Sequence, residues 1–178
     1  MKIVSLAVGL ALAAVASTAS AEVISTSSSG FQLRSSAVLE NTTQAEAWAA
    51  LGQWGRWWSS DHTYSGEASN LSLDVSAGGC LCEVWDGGQI EHGRVLLAVP
   101  ATGLLRMNAP FGPLQSQPVT AILTYTIRPR AEGGVEVTQT FVVGGGDAAT
   151  AAMAPIVDTV MSEGLERLVR FAQTGTAD

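Results

Sequence analysis

GGCLCEVWDGGQIEHGRV, residues 78–95, gathers both cysteines of the chain, Cys80 and Cys82, with Glu83, Glu91, Arg94 and one of the chain's two histidines, His92. These side chains could ligate a metal, form a redox pair, move protons, or simply decorate one hairpin. Which of these they do depends on the faces they occupy, and the faces depend on the turn. A two-residue turn at Gly87-Gly88 pairs Glu83 with His92 and Cys82 with Gly93. Cys80, Cys82, Val84, Glu91, Val95 and Leu97 then share one face, taken as the inner one. Glu83, His92 and Arg94 share the other, where opposite charges neighbour each other in water.

A three-residue turn would slide the pairing by one, setting Cys82 against His92 and Glu83 against Glu91. Opposed carboxylates make that register the less favourable one. It is also the register a Cys-Cys-His metal site would need, and cysteines two apart on a flat strand splay away from a tetrahedron. No metal and no cofactor is expected. The cysteines are read as reduced thiols lining an interior. A Cys80–Cys82 bridge is the alternative, but residues i and i+2 of a strand have Cα atoms about 6.6 Å apart and a bridge prefers Cβ atoms about 3.8 Å apart. It would require a local bulge at Gly78-Gly79-Cys80.

Further candidates lie outside the hairpin. Asp61-His62 places a carboxylate beside an imidazole in a loop, a pairing that could act as a base near neutral pH. Trp54, Trp57 and Trp58 supply rigid apolar surface with hydrogen-bonding edges. Met107, Tyr125, Gln139 and Phe141 point to the same interior as Cys82 and Glu91. Inward polar groups such as Glu91 and Gln139 need each other, water or a ligand as partner. The candidate catalytic residues are thus Glu91, His62 and Asp61. The candidate ligand-binding residues are Trp54, Trp57, Trp58, Cys80, Cys82, Glu91, Met107, Tyr125, Gln139 and Phe141. There is no G-x-S-x-G elbow, and Gly144-Gly145-Gly146-Asp147 lacks the Lys-Ser/Thr of a phosphate loop.

The elements that must position these residues follow from periodicity. Phe31 to Leu39 reads as a strand. Thr43 and Glu46 stand at capping-box spacing, and Trp48, Leu51, Trp54 and Trp58 then mark one face of an amphipathic helix. From Asn70 to Val143 the period falls to two, in short runs separated by Gly-containing turns, as in an antiparallel meander covered on one side. Met153, Val157, Val160, Met161, Gly164, Leu165, Leu168 and Ala172 return to helical spacing, with Asp147 as a cap and Pro155 near the first turn.

The start of the chain, one lysine followed by an apolar run from Ile3 to Ala16 and then Ala19-Ser20-Ala21, reads as a secretory signal peptide. Residues 22–30 are Ser-rich and read as a flexible leader, residues 31–174 as a single domain, and residues 175–178 as a tail. The chain has nine basic and sixteen acidic residues. Removing Lys2 leaves eight against sixteen, a balance that argues against nucleic acid and anionic membrane surfaces as partners. With 14% charged and 47% hydrophobic residues the chain should fold as a globule, secreted or periplasmic.

This order of elements resembles the helix-grip fold of the START/SRPBCC superfamily over about residues 31–173. Trp57-Trp58, DHTYSG at 61–66, GGCLCE at 78–83, EHGRV at 91–95, Pro100, GPL at 112–114 and LTYTI at 123–127 are similar to the exported branch of its polyketide-cyclase and chaperone-ATPase-activator-like group. The resemblance implies an α+β fold in which a curved antiparallel sheet of about six to seven strands wraps a long C-terminal helix. It implies an exported protein, monomeric or weakly dimeric, holding a small apolar ligand between sheet and helix. A cyclase- or dehydratase-like enzyme using Glu91 or the Asp61-His62 pair is the alternative. A protein-interaction adaptor with a filled core is the third reading.

Overall fold

The computed structural model describes residues 20–178, with side chains from Glu22 onward, so the expected signal segment lies outside the described residues except for its last two. The fold is α+β. Its strands are β1 (Ser20–Ser27), β2 (Gly30–Leu39), β3 (Leu71–Leu73), β4 (Cys80–Trp85), β5 (Gly88–Val99), β6 (Leu104–Asn108), β7 (Thr120–Pro129) and β8 (Val135–Gly144). Among the described residues these eight form one antiparallel sheet in the order β1-β2-β8-β7-β6-β5-β4-β3. Its helices are α1 (Gln44–Leu51), α2 (Trp54–Trp57), α3 (Ala148–Ala152) and the long α4 (Ala154–Thr174).

The strand beyond the expected six to seven is β1, which occupies most of the segment read as a leader. Its serines hid it, but Val23 pairs with Leu33 and Thr26 with Phe31 across a tight turn at Ser28-Ser29. Gly30 makes the next crossing possible, because a side chain there would run into the Val143 carbonyl of β8.

The capping box forms as the spacing predicts. The Glu46 carboxylate accepts from the Thr43 N–H at 2.8 Å, and the Thr43 hydroxyl accepts from the Glu46 N–H. The single helix expected through Trp58 does not persist. α1 ends as the Gly52 N–H donates to the Trp48 carbonyl and the Gln53 N–H to the Ala50 carbonyl, and α2 is one further turn. At Gly55 a Cβ would strike the Leu71 carbonyl, so glycine lets α2 settle onto β3. The C-terminal helix is likewise in two parts. Asp147 caps α3, and Pro155, which has no N–H to lose, opens α4.

Alternation sets the core. Ala121, Leu123, Tyr125 and Ile127 of β7 and Val135, Val137, Gln139, Phe141 and Val143 of β8 face inward, under Met161, Leu165, Leu168 and Phe171 of α4. Gln139 is satisfied inside. Its amide donates to the Met161 carbonyl (3.0 Å) and the Ser35 hydroxyl (3.3 Å), and its carbonyl accepts from the Tyr125 hydroxyl (2.5 Å). Here the sheet and α4 meet flush, so Met107, Tyr125, Gln139 and Phe141 are filled core.

Candidate functional site

The β4–β5 hairpin takes neither register considered from the sequence. Its turn is Asp86-Gly87, with Gly87 at φ +97° and Trp85 opposite Gly88. The Trp85 indole lies against the Gly88 backbone where a Cβ would otherwise sit, so a side chain at that position would have to displace the ring. The pairs run Val84–Gln89, Glu83–Ile90 and Cys82–Glu91, and then the register shifts to Leu81–Gly93 and Cys80–Arg94. His92 is the extra residue of this β-bulge, a device that re-aims a side chain.

Up to the bulge the faces are inverted relative to the expectation, while beyond it Val95 is buried and Arg94 exposed, as expected. Glu83 and His92 point inward and are buried, alongside Leu81. Cys80, Cys82 and Glu91 point outward, and Glu91 is ion-paired on the surface with Arg94. The cysteines are bridged, with Cα atoms 5.3 Å apart, so the reading of reduced thiols in the cavity is corrected. The bulge expected at Gly78-Gly79-Cys80 is not where the register shifts: the extra residue, His92, lies on the partner strand β5, opposite the Leu81/Cys82 step.

Burial of Glu83 is tolerated because its carboxylate is fully served. Oε1 accepts from the Ser65 N–H at 2.5 Å, and Oε2 accepts from the Tyr64 N–H at 3.1 Å and lies 2.7 Å from His92 Nε2. Burial pushes its pKa up. The hydrogen bonds from Ser65, Tyr64 and His92 outweigh that and hold it below the ordinary 4.5. These bonds also fasten the loop around Tyr64-Ser65 to the inner face of the sheet, making it one lip of a cavity.

That cavity has a volume of about 560 Å³. Trp54, Trp58, Leu71, Leu81 and Phe111 line it from the α2 and sheet side, and Met153, Ile156, Val157, Val160 and Met161 from the α4 side. Trp58 and Phe111 form its aromatic floor, their ring centroids 6.0 Å apart, with the His62 ring 6.3 Å from Trp58 and the His92 ring 6.4 Å from Phe111. Trp58 is held by its indole N–H, which donates to the His62 carbonyl at 3.1 Å, and it fits because Gly164 of α4 leaves room for its ring.

Both histidines of the chain reach this one cavity, each backed by a glutamate. His62 Nε2 lies 3.0 Å from Glu163 of α4, closing part of the mouth, while Asp61 lines the cavity without bonding His62. Burial raises the Glu163 pKa, but the His62 hydrogen bond, another from Ser59 and the charges of His62 and Arg167 bring it below the ordinary value.

Of the expected ligand-binding residues, Trp54 and Trp58 line the cavity, and of the expected catalytic ones, His62 and Asp61 do. Trp57 is sealed in the core beside Trp54, its indole N–H without a partner among the described residues. Sequence reasoning missed Glu83, His92, Tyr64 and Phe111. The usable signal was Leu81 and Trp85, two large apolar residues that flank Glu83 on one face of β4.

Among solved structures the chain is similar to a conserved protein of unknown function from Enterococcus faecalis, with a TM-score of 0.60 at 9% identity, covering 84% of this chain and 75% of that one. It is similar to an uncharacterised protein from Rhizobium leguminosarum, with a TM-score of 0.56 at 20% identity over 86% of this chain and 97% of that one. CalU16 from Micromonospora echinospora matches with a TM-score of 0.51 at 12% identity, over 92% and 84% of the two chains. At these identities what is shared is the fold. No protein-family model and no curated protein matches the chain.

Proposed function

We propose that this is an exported binding protein of helix-grip type that holds a small, largely apolar molecule between the sheet, the Trp58–Tyr64 lip and the first half of α4. The observation that carries the reading is the cavity of about 560 Å³ with aromatic and aliphatic walls. Small-molecule sites occupy roughly 300–1,000 Å³ and combine such walls with a few fixed polar groups. At its mouth Tyr64 and Ile156 are 55% and 66% exposed, apolar surface that a bound guest would cover. Binding of this kind needs no cofactor. The adaptor reading asked for a filled interior, and it gains no support from this cavity.

Native mass spectrometry of protein isolated from its own host tests the proposal. A retained small molecule, released by denaturation, is the expected result. Uniformly empty protein that also takes up no apolar probe would contradict it.

The enzymatic reading keeps one specific observation in its favour, the two imidazole–carboxylate pairs His62–Glu163 and His92–Glu83 at a single cavity. It no longer runs through Glu91, which lies on the outer face. Loss of turnover in both His62→Gln and His92→Gln, with affinity kept, would support acid–base chemistry here.

A further inference from the structure

On the face opposite the cavity, the Cys80–Cys82 bridge joins two residues of one strand and so fastens no two elements together. It closes a loop of three residues, and the entropy that a crosslink removes from the unfolded chain shrinks with loop length. Both cysteines are half-buried on the outward face of β4, so a second thiol can approach. The bridge also draws the strand in. The Cα atoms stand 5.3 Å apart, where an extended strand sets residues i and i+2 about 6.6 Å apart, at the point where the β4–β5 register shifts.

The two sulfurs have unequal surroundings. Cys80 stands opposite Arg94, whose guanidinium donates to the Gly78 carbonyl at 2.9 Å while ion-pairing with Glu91. On its other side, the Asp74 N–H donates to the Cys80 carbonyl, and the Asp74 carboxylate is turned to the Ser76 N–H at 2.9 Å. Cys82 stands between Glu91 and Ser72. A thiolate is therefore better accommodated at Cys80, beside the cation, than at Cys82, beside the carboxylate.

We infer that this bridge is exchange-active, and that the protein passes it to the paired thiols of another, still-reduced polypeptide. A client thiolate attacks the Cys82 sulfur and the Cys80–Cys82 bond breaks. Cys80 leaves as the thiolate held beside Arg94, the better leaving group of the two. The client's second thiolate then attacks its own sulfur in the mixed disulfide and expels Cys82. Two electrons pass from the client dithiol to the bridge, and the client's two thiol protons end on Cys80 and Cys82. The inference stands apart from ligand binding, since these residues face away from the cavity.

The test uses the native, oxidised protein and a short unstructured peptide carrying two reduced cysteines, under anaerobic conditions. Peptide oxidation is followed by mass, and new protein thiols by maleimide labelling. The protein should oxidise the peptide at least about tenfold faster than oxidised glutathione at equal concentration, and Arg94→Met should slow the transfer about tenfold. A bridge that survives native incubation and yields only in denaturant would overturn the inference. So would transfer no faster than from glutathione. A folded Arg94→Met variant as fast as the wild type would overturn the assignment of Cys80 as the leaving group.

Discussion

His92 meets Glu83 through strand alternation: Ile90 stands opposite Glu83, so His92, two residues on, shares that inner face and lies 2.7 Å from the Glu83 carboxylate, and His92 is also the residue by which β5 exceeds β4 at the Leu81/Cys82 step. The extra residue acts beyond the pair, leaving Val95 in the core and Arg94 on the outer face. The pair does two jobs at once, forming a polar wall of the cavity and anchoring the lip that covers it.

Replacing Glu83 should therefore loosen both. Removing one partner of a buried, hydrogen-bonded pair costs about 3–5 kcal/mol, and Glu83→Ala should show a loss of that order in urea unfolding at neutral pH. The pH dependence has a definite sign. The folded-state pKa lies below the ordinary 4.5, so the carboxylate's contribution is complete above 4.5 and is lost as pH falls through the folded value. The stability gap between wild type and Glu83→Gln should thus shrink as the pH drops below 4.5.

Glu91 provides the contrasting case. It is an exposed partner of Arg94 on the outer face, and such pairs are worth at most about 1 kcal/mol. Glu91→Ala should change unfolding free energy by no more than that and leave the affinity of any apolar probe unchanged, as titration would show.

These two glutamates mark what was legible in the sequence. The grouping of residues by face was right for Glu83 with His92 and for Cys82 with Glu91, and wrong for Arg94 and Val95, which the bulge moves to the other group. The sense of the faces was inverted up to the bulge, because a charged, ion-pairing set reads as solvent-facing until its partners are known. The groups that pay for burying Glu83 are backbone N–H groups of Tyr64 and Ser65, which arrive from a separate loop and leave no trace in side-chain patterning. The capping box, the meander, the core faces of β7 and β8 and the Pro155 helix start were legible, since each follows from local spacing. β1 was not, because a serine-rich strand is stabilised by its pairing with β2 more than by its own composition.

Gly164 should gain no stability from a side chain despite lying in a long helix. Alanine gains about 1 kcal/mol of helix propensity over glycine, but its Cβ would fall 2.5 Å from Cζ3 of Trp58. Overpacking costs about 1–3 kcal/mol, so Gly164→Ala should be neutral to destabilising by about 2 kcal/mol. Tryptophan emission should shift as Trp58 moves toward the cavity.

Removing the disulfide should cost little. For a three-residue loop the chain-entropy relation gives about 1.6 kcal/mol, and a Cys80→Ser, Cys82→Ser double variant should lose that amount or less in unfolding experiments. Its cavity, on the other face of the sheet, should keep wild-type affinity for an apolar probe.

The most direct test of a vacant, apolar guest site is titration with N-phenyl-1-naphthylamine, a neutral fluorescent probe, into the wild type and a Val160→Trp variant that fills the space beside Met161 and Trp58. Saturable one-to-one binding by the wild type, weakened at least about tenfold in the folded variant, is the predicted result. Absence of saturable binding, or equal affinity in the two proteins, would contradict it.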